Sequence, residues 1–139
     1  MSTGGTEEAK QTTYYFSRVL AAPFEEVVDR VTAALQDEGF GVLTDIDVQT
    51  TMKKKLGVDF RKYRILGACN PTFAHQALQI EAKIGTMLPC NVVVQELESG
   101  GTEVSAVDPV ASMQAVGSVE LGKIAGVVQA KLKAVVSSL

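Results

Sequence analysis

Two runs of alternating residues, Asn91 to Leu97 and Thr102 to Val107, are separated only by Glu98-Ser99-Gly100-Gly101, the strongest hairpin signal in the chain. So short a link joins antiparallel strands, because a parallel return needs a crossover of a dozen or more residues. The chain must therefore build a sheet containing an antiparallel pair. Asp108-Pro109 terminates that pair, since proline brings no amide hydrogen to a ladder.

The stretch feeding this hairpin, Phe60 to Asn91, reads as a strand, a helix and a return, with both cysteines of the chain at the ends of the insert. Tyr63 to Ala68 has the β-branched, aromatic and aliphatic content of a strand. Asn70-Pro71 then starts a helix: asparagine accepts an orphan amide hydrogen, and proline at the first helical position needs no donor. The spacing of Phe73, Ala77, Ile80 and Ile84 predicts a helix over Pro71 to Ile84, stopped by Gly85. Cys69 falls at the strand-to-helix junction, and Cys90 opens the run Val92 to Val94.

The rest of the chain follows the same signals. Met1 to Gln11 is read as a polar leader, and residues 12–139 as one domain, with a first strand over Thr12 to Leu20. Phe24, Val27, Val28, Val31, Ala34 and Leu35 share one helical face, in a helix ending near Gly39. Phe40 to Val48 reads as a strand with Phe40, Val42, Thr44, Ile46 and Val48 toward the core and Asp45 and Asp47 on the opposite side. Gln49 to Leu56 is a short helix stopped by Gly57, and Val110 to Gly117 a turn with a short helical piece. Ser118 caps a long helix striped by Leu121, Ile124, Ala125, Val128, Leu132, Val135 and Val136.

At 139 residues, 46% apolar and a formal charge of -3, the chain can bury its own core and has no general electrostatic reason to bind nucleic acid. It carries no RNP-type motif and no GxxxxGK phosphate loop. No segment approaches the roughly 18 uninterrupted apolar residues of a membrane span, so integral membrane association is not expected. Two cysteines make no secreted disulfide framework and the start has no signal-peptide core, which predicts a reducing cytoplasm.

GFGVLTDID at Gly39 to Asp47, LGVDFRKYRILGACNP at Leu56 to Pro71, LPCNVVV at Leu88 to Val94 and VSAVDP at Val104 to Pro109 together resemble the bacterial and archaeal family called domain of unknown function 302. The resemblance covers most of the chain after the leader. It implies an α+β fold with a TBP-like, curved, mainly antiparallel sheet and inserted and C-terminal helices. A fold does not carry a function with it, so DNA binding is not implied. Nor does the resemblance assign any catalytic residue or cofactor; the cofactor is unknown.

Antiparallel pairing of the strands around Ile65 and Val93, which the resemblance favours, brings Cys69 and Cys90 to one edge of the sheet. Gly67, Cys69, Asn70, Cys90 and Asn91 are then the candidate ligand or redox residues: glycine admits a close backbone, the asparagines hydrogen bond, and the thiols form small polarizable walls. His75 is a secondary candidate, able to complete a cysteine-histidine pair or to join a metal site still short of a ligand. Lys53, Lys54, Lys55, Arg61, Lys62 and Arg64 are candidates for anion binding, or simply solvated and paired charges. Asp45 and Asp47 read as a polar rim rather than a catalytic pair. The expected function is non-enzymatic binding of a small ligand or partner at the Cys69/Cys90 junction. The alternative is a cysteine-dependent redox or metal-assisted enzyme. Apolar residues at both parities, Ile65 with Leu66 and Val92 with Val93, predict a homodimer through a sheet face or edge, unless the chain's own helices cover both faces.

Overall fold

The computed structural model describes residues 10–11 and 14–139. Residues 1–9 of the expected leader, and Thr12 and Thr13 of the expected first strand, lie outside the described residues. Lys10–Gln11 forms a two-residue strand, β1, paired antiparallel with β2 (Tyr15–Leu20). The chain continues through α1 (Phe24–Asp37), β3 (Gly41–Asp47), α2 (Val48–Leu56), β4 (Tyr63–Cys69), α3 (Pro71–Ile80), β5 (Cys90–Glu96), β6 (Thr102–Val107), α4 (Pro109–Met113) and α5 (Val119–Ser137). The strands form one antiparallel sheet in the order β1-β2-β6-β5-β4-β3. Helix α1 carries the chain from β2 to the far edge, and α3 is inserted between the neighbours β4 and β5.

The hairpin forms as its sequence demands, with Leu97 N–H donating to Gly101 O at 2.8 Å across the turn. Ile65 and Val93 are direct antiparallel partners. Alternation sends Phe16, Leu20, Leu66, Ala68, Val92, Val94, Val104 and Ala106 to one face, where α1 and α5 cover them. A second, smaller apolar cluster joins Ala77, Ile84, Met113, Leu121 and Ala125 from α3, α4, α5 and the turn after α3. Arg18, buried on the packed face, donates from Nη1 to Ser137 O at 2.8 Å, answering a carbonyl at the end of α5.

Two expectations are corrected. The core face assigned to β3 does not persist, because the register shifts between Val42 and Thr44. Val42 stays packed against the core as the partner of Ala68, whereas Thr44 pairs with Gly67 and Ile46 with Ile65, on the opposite face. An inserted residue inverts the parity of everything after it. Ile46 is thus 49% exposed, and Val48 has already entered α2. Helix α3 also ends at Ile80 rather than Ile84. Glu81 is extended, its carboxylate accepts from Lys83 N–H at 3.0 Å, and a 3-10 turn over Ala82–Met87 follows. Ile80 is left exposed while Ile84 is buried. Gly85 lies inside that turn and does not end the helix.

Candidate functional site

The junction between β4 and α3 is built by local chemistry. Cys69 is the last residue of β4; Asn70 caps α3, its Oδ1 accepting from Phe73 N–H at 3.5 Å, and Pro71 occupies the first helical turn. Across the ladder Ala68 faces Cys90 and Gly67 faces Asn91. Cys69 and Cys90 therefore meet at one end of the β4/β5 ladder, one residue out of step, and both are free thiols. Cys90 is buried on the face of Ala68, and Cys69, at the end of β4, is half-buried. Burial, reinforced by the Cys69 charge, pushes the Cys90 thiol up to about 11.

Behind this junction lies a cavity of about 30 Å³. Phe73, Ala74 and Ala77 of α3 form one wall and Ile124, Ala125 and Val128 of α5 another; Ala68, Cys69 and Cys90 close it from the sheet, and Met113 from α4. It occupies the seam between the two apolar clusters, with residues of both in its lining. Among the described residues that line it, Asn70 and the two thiols supply the polar side chains. The rest of the lining is apolar, which suits a small apolar group.

The family model described as "Domain of unknown function DUF302" matches residues 16–139. The chain belongs to the DUF302 family. Among solved structures it is similar to the "uncharacterized conserved protein DUF302 from Bacillus stearothermophilus", with 28% identity, a TM-score of 0.83, and coverage of 90% of this chain and 97% of that one. No match is found among curated proteins.

Within this DUF302 domain the candidates separate. Cys69, Asn70 and Cys90 line the cavity; Gly67 and Asn91 do not. The space above Gly67 is taken by the chain itself, since an added Cβ would meet Thr44 Oγ1 and, at 2.7 Å, Pro89 Cγ. Asn91 is exposed beside a shallow depression of the other sheet face, with Tyr15, Tyr63 and Val93. His75 is exposed on α3, its Nε2 3.2 Å from Gln79 Nε2. Asp59 pairs with Lys53 at 3.1 Å, and Asp108 is buried, its Oδ1 accepting from Val110 N–H and from Gln129 Nε2, each at 3.0 Å. Among the described residues no three His, Cys, Asp or Glu side chains gather as a metal site.

The basic candidates divide as well. Arg64 holds Asp45 through two hydrogen bonds, one of them 2.7 Å from Nε, and this pairing raises its pKa further. Arg61 donates to Gln95 at 2.9 Å and lies 4.5 Å from the centre of the Phe60 ring. Lys53, Lys54 and Lys55 form the exposed last turn of α2. Asp47 caps α2, and the Thr50 N–H it accepts lowers its pKa, so Asp45 and Asp47 have separate structural partners. The sequence had marked Phe73, Ala77, Ile124, Ala125 and Val128 only as packing residues. Helical spacing identifies an inward face, but says nothing about a gap between two inward faces.

Proposed function

We propose that this DUF302 domain is a binding module, taking a small apolar ligand, or the apolar end of a larger one, into the cavity at the Cys69/Cys90 junction. The observation that carries this reading is the coincidence of the cavity with the strand-to-helix junction, between apolar clusters that do not close on each other. The Cys90 thiol, raised to about 11, stays protonated at neutral pH and serves as wall rather than nucleophile. Free thiols here fit a reducing compartment such as the cytoplasm. Straight-chain alcohols of increasing length, titrated while the methyl carbon resonances of Ala77, Met113 and Ala125 are followed, test it. Saturable shifts confined to these methyls, abolished by Ala74→Leu, are expected. Shifts that never saturate, or that ignore Ala74→Leu, would defeat the proposal.

A second reading concerns assembly. The helices bury one sheet face, whereas on the other Ile65, Val93, Tyr15 and Val107 remain half-buried and Ile46 is 49% exposed. Ile46, Ile65 and Val93 are neighbours in register and form an apolar row across three strands. A second copy laid over this row makes a homodimer related by a two-fold axis. Light scattering over a dilution series should give a dimer mass that Ile65→Glu reduces to a monomer. A constant monomer mass of the unmodified protein at micromolar concentration rejects it.

A further inference from the structure

Helix α2 has an apolar stripe, Val48, Met52 and Leu56, at successive four-residue steps. Val48 and Met52 are half-buried, but Leu56 is 69% exposed, and Val58, just past the left-handed Gly57 cap, is 44% exposed. The stripe thus leaves the body of the protein with its last turn. From Lys53 to Lys62 the sequence holds five basic residues and a single acidic one, Asp59, in a chain whose formal charge is -3. Arg61 is held by Gln95 and Lys62 lies 6.0 Å from the centre of the Phe24 ring, so the exposed charge of the turn is that of Lys53, Lys54 and Lys55. Asp59 is itself engaged by Lys53.

We infer that the end of α2 and the turn after it dock the protein on an anionic lipid bilayer, with Leu56 and Val58 entering the headgroup boundary and Lys53, Lys54 and Lys55 meeting lipid phosphates. Lysines suit the negative end of a helix, but that preference does not account for two exposed apolar side chains, Leu56 and Val58, beside them. Two exposed apolar residues beside three lysines make a poor core for a protein interface, which buries on the order of 1,200 Å² or more and is depleted of lysine at its centre. A bilayer needs no matching surface shape, and each cation near its surface contributes separately. The two apolar side chains are too few to hold the protein alone, so attachment must be salt-sensitive.

Co-sedimentation with phosphatidylcholine vesicles, with and without phosphatidylglycerol, is the test. Binding about 10-fold or more tighter to the anionic vesicles is expected, falling away as salt is raised. Replacing Lys53, Lys54 and Lys55 together by Gln should abolish it, and Leu56→Ser with Val58→Ser should weaken it. Asp59→Lys should tighten it, a gain that misfolding cannot mimic. Equal binding to both vesicle types, or variants that change nothing, would overturn the proposal. So would a complex with polyglutamate without vesicle binding, which would make the partner an acidic polypeptide. The same holds for an oligomer dissolved by the Leu56/Val58 substitutions without vesicle binding, which would make it a second copy.

Discussion

Gly67 is the residue at which the junction has no room to give. Thr44 belongs to an edge strand and can turn its side chain away from an added methyl group, but the Pro89 ring, 2.7 Å from the position of that methyl, cannot. Gly67→Ala should therefore destabilise the fold by about 1–3 kcal/mol, the usual cost of overpacking. Urea denaturation would measure it, and a change within about 0.5 kcal/mol would show that the loop around Pro89 yields. Cys90 carries a pH dependence of definite sign. Its thiol is raised from 9.0 to about 11 in the folded protein, so between these values the folded state holds a proton that the unfolded chain has lost. The associated stability is fully present below about pH 9 and is lost as pH rises through about 11. The loss is roughly 2–3 kcal/mol on the linkage relation, and Cys90→Ala should remove it. Urea melts of both proteins across this range decide the point; parallel slopes would exclude Cys90 as the source.

At the scale of elements, β3 and α5 are opposites. The edge strand β3 loses its alternation at the shift after Val42 and buries little, whereas α5 sets six buried residues from Leu121 to Val136 against the sheet and α4. Leu132→Ala should cost about 2–5 kcal/mol, as deletion of a fully buried leucine side chain does. Ile46→Ala should cost under about 1 kcal/mol in the monomer, because half of Ile46 already meets water. Comparable losses at the two sites, measured below any dimerisation concentration, would refute this ranking. The α5 stripe was plain in the sequence because a long helix repeats its signal over five turns. A single inserted residue in β3 leaves every side chain chemically suited to its expected face, and no pattern announces the inversion.

The whole molecule has a strong interior and weaker margins. Strands β4, β5 and β6 are central, and Leu66, Val92, Val94 and Val104 in them are almost fully buried. Helix α2 has no buried residue. Amide hydrogen exchange should be slowest in β5 and β6 and fast in α2, since local opening costs least where little apolar surface is buried. Protection of α2 equal to that of β5 would overturn this picture. The cavity also belongs to this scale, because it exists only where the sheet cluster and the smaller α3/α4/α5 cluster meet.

By itself the sequence determined the elements whose signals are local and repeated: the Asn91 to Val107 hairpin, the Asn70-Pro71 and Ser118 helix starts, the Gly57 stop, and the stripes of α1 and α5. Its joined motifs also pointed to the DUF302 family, and with that to the antiparallel order that sets Cys69 beside Cys90. Tertiary structure alone decided that Thr44 and Ile46 cross to the far face, that α3 breaks at Glu81, and that Asp45, Asp47 and Arg64 are taken up by structural partners. It alone turned five packing residues of α3 and α5 into the walls of a cavity. The physical reason is common to all of these. Capping, turn formation and amphipathic periodicity act between residues a few positions apart, whereas register, salt-bridge partners and voids depend on which distant surfaces meet and how well they fit.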